Sequence, residues 1–190
     1  MEGEPAALPA IRAAAARHGF AMSCDHEVGL LLAELAASKV GGRLLELGTG
    51  VGAGTAWLLE GMRPGSSLMT VEIDPTLQAV AESVLGAERT TYVCADGAAW
   101  LERYDGPSFD LIFADTWPGK FTGLDRALAL VAVDGSYVVD DLCPQPTWPA
   151  DHARAVGDLV SILRRHPEFR IVERLDLGSG VLVASRIGST

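Results

Sequence analysis

Aromatic residues are scarce, with only 6% of the 190 positions being Phe, Trp or Tyr. Cysteine is scarcer still: Cys24, Cys94 and Cys143 are scattered and form no C-x-x-C pair. An odd, dispersed set excludes a disulfide framework and a thiolate zinc site, and fits a reducing, cytoplasmic compartment. Positive charge is short as well. Fifteen basic residues stand against 25 acidic ones, a formal net charge of −10. Duplex nucleic acid repels such a surface, so no nucleic-acid partner is expected. No stretch reaches the ~18 consecutive apolar residues of a membrane span, so no membrane partner is expected either. The acidic opening Met1-Glu2-Gly3-Glu4 is unlike a signal peptide. Repeats, low-complexity tracts and long linkers are also missing. A chain of this length fits a single domain, residues 1–190, because roughly 100–200 residues per domain is usual.

Glycine, by contrast, is abundant at 21 residues, well above the usual ~7%. Its placement depends on the order of elements. Two helices open the chain, near 6–18 and 26–38, the second with Asp25 as candidate N-cap. The period then changes. Short apolar strands are expected at 43–47, 67–73, 90–94, 109–114 and 136–139, with helices near 53–62, 74–85, 97–104 and 121–132 between them. A proline-rich loop covers 142–149, and an amphipathic helix near 150–165 has Ala153, Val156, Val160 and Leu163 on one face. Strands at 170–174 and 181–184 close the chain. The few residues between them, Asp176 to Gly180, allow only an antiparallel hairpin, since a parallel pair needs a crossover of about a dozen residues. Strands alternating with helices predict an α/β, doubly wound, Rossmann-like sheet covered on both faces. In such a sheet the ligand sits at the carboxyl ends of the strands.

The glycines concentrate at the first of these ends, in Glu46-Leu-Gly48-Thr49-Gly50-Val-Gly52-Ala-Gly54. Glycines there let a ligand approach the backbone, and the next helix points free N–H groups at it. Gly48, Gly50 and Ala53 also satisfy the dinucleotide fingerprint, and Glu72 lies where a ribose-binding acid is expected. Loop and acid together indicate an adenosine-containing cofactor, without separating NAD from S-adenosylmethionine. Four features favour the latter. Glu46 can accept from a ligand ammonium, whereas it would repel a pyrophosphate. Asp96, with Gly97 and Ala98, can receive an adenine, although an N-cap role suits Asp96 too. The fourth strand ends in Asp115-Thr-Trp117, and the terminal hairpin is foreign to the dinucleotide fold.

Leu-Glu-Leu-Gly-Thr-Gly-Val-Gly at 45–52, Val-Glu-Ile-Asp at 71–74, Ala-Asp-Gly at 95–97, Phe-Asp-Leu-Ile-Phe-Ala-Asp at 109–115 and Val-Val-Asp-Asp at 138–141 together resemble a known family. It is the class I S-adenosylmethionine-dependent methyltransferases, and within them the small catechol and caffeoyl-CoA O-methyltransferases. The resemblance implies a seven-stranded sheet of order 3-2-1-4-5-7-6, with an N-terminal helical lid at 1–40 and a Rossmann-like core at 41–190. It implies that the loop from Gly48 through Thr49 and Gly50 to Gly52 cradles the methionine part of the cofactor. Glu72 and Ile73 would meet the ribose and the Asp96 region the adenine, with Asp115 and Trp117 completing the pocket. Met22 and Ser23 to Gly29 would close over the carboxylate end. The resemblance allows a homodimer and implies a small-molecule acceptor methylated on a hydroxyl.

Relatives of this kind use a divalent cation, Mg or Ca. The metal set would be Asp115, Asp140 and Asp141, whose ligand type suits a hard cation. Such relatives carry a basic lysine three residues after the first aspartate. Here Pro118 stands there, and Lys120 lies two residues further on. Asp115 and Lys120 are the candidate catalytic residues, with a solvated surface lysine as the ordinary alternative for Lys120. His26 and His152 are further candidate bases. Trp117 and Trp148 are placed to border the acceptor pocket. The competing functions are an NAD(P)-dependent oxidoreductase and a methyltransferase-fold binding module without activity.

Overall fold

The computed structural model describes residues 3–144 and 151–188. Among these residues, seven strands alternate with eight helices. The strands are β1 (Arg43–Leu47), β2 (Ser67–Glu72), β3 (Thr90–Cys94), β4 (Phe109–Ala114), β5 (Val131–Val139), β6 (Phe169–Arg174) and β7 (Val181–Arg186). The helices are α1 (Leu8–His18), α2 (His26–Ser38), α3 (Ala53–Gly61), α4 (Pro75–Leu85), α5 (Gly97–Arg103), α6 (Trp117–Lys120), α7 (Leu124–Ala129) and α8 (His152–Arg165). The sheet order is β3-β2-β1-β4-β5-β7-β6, as expected, with β7 antiparallel to both β5 and β6. None of the described helices is long and apolar enough to cross a membrane.

Alternation along each strand sorts the core into two layers. Leu45, Leu47, Ile112, Ala114, Tyr137 and Val139 face one side, where α5, α7 and α8 cover them. Leu44, Leu68, Leu111, Phe113 and Val138 face the other, under α1, α2 and α3. Burial on both faces explains why these strands read as continuous apolar runs. Helix α4 starts where its cap chemistry predicts. The Asp74 carboxylate accepts from the Thr76 and Leu77 amides, and Pro75 occupies the first turn. Asp25 stands at the start of α2 with extended backbone, but its side chain makes no capping hydrogen bond.

Two boundaries depart from the sequence pattern. The helix expected over 121–132 is the shorter α7, which ends at Ala129 and is preceded by the separate α6, and β5 begins at Val131 rather than near 136. Leu124, Leu128, Leu130 and Val131 form one apolar series, so periodicity alone does not mark where helix yields to strand. The strand is irregular there. Its register against β4 passes from Phe109–Val131 to Leu111–Ser136, and Asp134 turns with φ 63°. In α8 the buried stripe is His152, Val156, Leu159 and Leu163, while Ala153 is exposed.

Candidate functional site

The carboxyl ends of β1 to β5 meet at one edge of the sheet. After β1 the chain enters the glycine loop, where Gly48, Gly50 and Gly52 have φ of 100°, 51° and 96°. Gly50 shows why the loop needs glycine. Its φ is left-handed, and a Cβ there would stand 2.7 Å from the Phe20 ring. Much of the space these glycines leave is filled by the protein. Gly48 lets the Asp115 carbonyl approach, Gly52 receives Ala81 and Leu85 of α4, and Gly54 faces Glu46 Oε1. Phe20, in the segment joining α1 to α2, was not singled out by sequence; no local pattern marks a residue that crosses to a loop thirty positions away.

Glu46 is fully buried beneath this loop, with no exposed surface. Its Oε2 accepts from Thr55 Oγ1 at 2.5 Å and from Thr70 Oγ1 at 2.6 Å. Because the single Thr70 proton goes to the carboxylate, the Thr49 hydroxyl donates to Thr70 Oγ1, at 2.6 Å. Oε1 has no hydrogen-bond partner among the described residues. Burial raises the Glu46 pKa to about 7, against the lowering effect of the two threonine hydroxyls. Thr55 and Thr70 are functional neighbours that the sequence reading passed over. Thr70 was accessible in principle, since register pairs it directly with Glu46.

Glu72, half-buried at the end of β2, reaches back to the loop. Its Oε2 accepts from the Gly50 amide at 2.8 Å, and its Oε1 accepts from the Ile73 and Asp74 amides. The Ile73 side chain beside it is 65% exposed. Asp96 caps α5 by accepting from the Ala99 amide at 2.8 Å, and Gly97 and Ala98 begin that helix alongside it. Ser23 lies exposed between α1 and α2. An exposed apolar side chain between two strand-tip acids fits an adenosine, whose base is apolar on its faces and polar at its edge.

Asp115, Asp140 and Asp141 gather at the tips of β4 and β5, each offering a carboxylate oxygen within 4.8 Å of the others. Asp141 adopts φ 58°, and its amide donates to Ser179 Oγ in the β6–β7 turn at 3.2 Å. Burial, then the Asp140 charge, pushes the pKa of Asp115 well above the usual carboxylate value. The same two causes, in the same order, raise Asp141.

Lys120 completes the cluster. It is only 3% exposed, so the solvated surface lysine is excluded. Its Nζ donates to Asp140 Oδ1 at 3.0 Å and lies 3.8 Å from Asp141 Oδ2. Burial alone would lower its pKa; Asp140, then Asp115 and Asp141, outweigh burial and raise it. The shift in sequence position is absorbed by a kink. Pro118 (ψ 130°) and Gly119 (φ 85°, ψ −20°) break the short helix α6. A Cβ on Gly119 would collide with the end of the Leu47 side chain, which would have to move, and the Gly119 carbonyl accepts from the buried Tyr137 hydroxyl.

By ligand type the three carboxylates suit Mg²⁺ or Ca²⁺. With Lys120 in place a cation would have to share Asp140 and Asp141 with an ammonium. Two unit charges 4 Å apart interact by about 4 kcal/mol at an effective dielectric of 20, so an ammonium beside a divalent ion would cost about twice that.

Trp117 is 43% exposed and packs edge-on against Phe121 with ring centroids 4.9 Å apart. Phe121 in turn meets His152 at 5.4 Å. Burial and then the nearby Lys120 charge lower the pKa of His152. A cavity of about 610 Å³ opens here, lined among others by Trp117, Lys120, Phe121, Leu124 and Leu159. His26 lies apart from it, edge-on to Trp57 and 3.2 Å from Glu4 Oε1. Trp148, the other aromatic expected at the pocket, lies outside the described residues.

Comparison with known proteins agrees with this geometry. A protein of Mycobacterium tuberculosis H37Rv described as a probable O-methyltransferase is 38% identical over 96 residues. The match takes in 48% of this chain and 43% of that protein, so the chain spans less than half the length of the curated relatives it matches. Among solved structures, the O-methyltransferase TomG of Streptomyces achromogenes, in complex with S-adenosylmethionine, superposes with a TM-score of 0.82 at 22% identity, covering 98% of this chain and 92% of that one. The O-methyltransferase of Bacillus cereus in complex with S-adenosylhomocysteine gives 0.83 at 19% identity, covering 98% and 93%. At such identities these two establish the shared fold. The profile of the methyltransferase-domain family matches residues 45–142, from the middle of β1 through the Asp140-Asp141 pair, which is just over half of the chain. The chain therefore belongs to the methyltransferase-domain family.

Proposed function

We propose that this protein is an S-adenosylmethionine-dependent O-methyltransferase acting on a small hydroxyl-bearing molecule. The observation that carries this reading is the acidity around the glycine loop. Glu46 lies beneath the loop, and Glu72 accepts from its Gly50 amide. A cationic sulfonium cofactor with an ammonium group suits that field; a pyrophosphate does not. The names of the relatives and the cofactors bound in the similar structures support the same reading.

In this reading the loop from Gly48 to Gly52, with Thr49 and Ser23, receives the methionine part. Glu46 acts from below through the hydrogen bonds that link it by Thr70 to Thr49 of the loop, because its buried carboxylate offers no exposed oxygen. Glu72 and Ile73 hold the ribose, and Asp96, Gly97 and Ala98 the adenine. When bound, the cofactor supplies an activated methyl group on sulfur. The chain's own residues orient the acceptor and take its proton. Asp115, at the tip of β4 in the cluster that holds Lys120, is the proton acceptor. Lys120, held as an ammonium, stabilises the oxygen anion that results. Trp117 and Phe121, beside Lys120, border the acceptor. The segment from Phe20 to Gly29 acts as the lid, and Phe20 already touches the loop. The protein is placed in the cytoplasm, where its three unpaired cysteines stay reduced, and a homodimer is its proposed assembly.

Calorimetric titration with S-adenosylhomocysteine and with NAD tests the proposal, and methyl transfer to a panel of phenolic and aliphatic hydroxyl acceptors completes the test. Saturable binding of S-adenosylhomocysteine with transfer to oxygen is expected. Binding of NAD alone overturns the proposal, and cofactor binding without turnover on any acceptor replaces the enzyme with a binding module.

A further inference from the structure

We propose that Lys120 is the resident cation of the Asp115–Asp140–Asp141 cluster, standing where a divalent metal would otherwise sit, so that the site works without metal. Three carboxylates within 4.8 Å need a positive charge among them, because their mutual repulsion disfavours ionisation of all three. The chain supplies that charge itself. The Lys120 ammonium donates to Asp140 at 3.0 Å and lies 3.8 Å from Asp141, and both Lys120 and Asp140 are almost wholly buried. This placement is built into the fold. The break at Pro118 and Gly119 turns the chain inward. Tyr137 fixes the Gly119 carbonyl, and the Gly119 amide donates to the Thr122 carbonyl at 2.7 Å. The Phe121 ring lies 5.9 Å from Nζ and completes the enclosure. A metal ion drawing on the same carboxylates would meet this ammonium at close range.

The inference concerns what the cluster binds and can be read without turnover. Its failure is therefore distinct from failure of the methyltransferase reading. The probe is Mn²⁺, detected by electron paramagnetic resonance, with thermal unfolding in Mg²⁺ and in EDTA alongside. The wild-type protein should show no saturable Mn²⁺ binding below about 1 mM and no change in melting temperature with either addition. Lys120→Met should bind Mn²⁺ at least about tenfold more tightly than wild type and be stabilised by it. Adding Asp140→Asn should abolish that gain. Lys120→Arg, which keeps the positive charge, should remain blind to Mn²⁺. Micromolar Mn²⁺ binding by wild type that Asp140→Asn removes would overturn the proposal. So would a folded Lys120→Met with no gain in affinity. Should Lys120→Met fail to fold, the wild-type titration decides alone, since tight binding there refutes the inference and its absence in both wild type and Lys120→Arg upholds it.

Discussion

Replacing Glu46 by Gln tests whether a carboxylate is buried beneath the glycine loop at a cost. The group has no exposed surface, and burial raises its pKa from 4.5 to about 7. Below pH 4.5 the carboxyl is neutral in both the folded and the unfolded chain and costs nothing. Between pH 4.5 and 7 the unfolded chain releases the proton while the folded chain keeps it, so stability falls as pH rises. Above pH 7 both are ionised and the full penalty of about 3 kcal/mol is in place, at 1.36 kcal/mol per pKa unit. Gln does not titrate. Its carbonyl can accept from Thr55 and Thr70, and its amide nitrogen occupies the same unpartnered position as Oε1. All other titrating groups are present in both proteins, so the difference reports Glu46 together with its coupling to neighbours such as Glu72 and Asp115. The penalty is about 1 kcal/mol at pH 5.5 and about 3 kcal/mol at pH 8.5. The variant should therefore gain about 2 kcal/mol on wild type across that range, or roughly 4–8 °C in melting temperature for a chain of this size. Thermal unfolding by circular dichroism without cofactor measures it, at pH values kept above the isoelectric point of about 4.8. A difference that stays constant with pH, or one that shrinks as pH rises, would refute the argument.

Two further substitutions probe separate parts of the site. Gly119→Ala places a Cβ on a left-handed residue pressed against Leu47, so strain and overpacking together should cost about 2–4 kcal/mol; a melting temperature within about 2 °C of wild type would show that the kink is not needed. Glu72→Ala removes the carboxylate that accepts from Gly50 and is assigned to the ribose. It should weaken S-adenosylhomocysteine binding more than about tenfold, near 1.4 kcal/mol, and unchanged affinity by calorimetry would remove the ribose role.

The residues carrying the proposed chemistry were legible because each sits where a strand stops. Glu46, Glu72, Asp96, Asp115 and Asp140 all lie at or just beyond the end of a short apolar run, and such runs are visible in the sequence. What they touch was not legible. The glycine-rich loop suggested open space for a ligand, yet its glycines also admit Phe20, Asp115, Ala81 and Glu46, contacts that arise only when separate elements pack together. Lys120 was a candidate catalytic residue by sequence, with a solvent-facing lysine as the alternative that its shifted spacing left open. A two-residue kink, which spacing does not show, carries it into the cluster. Ser179 was invisible for a similar reason. It meets the Asp141 amide only because the β6–β7 turn folds back on the end of β5.

The amino-acid sequence by itself determined the alternation of strands and helices, the terminal hairpin and the acidic strand tips, because each depends on local period, turn length or residue order. Tertiary structure alone decided that Glu46 is sealed under two threonines and that Lys120 is locked among three aspartates. Burial and charge proximity are properties of the packed chain, and they set whether a carboxylate is neutral near pH 7 and whether an acidic cluster has room for a metal.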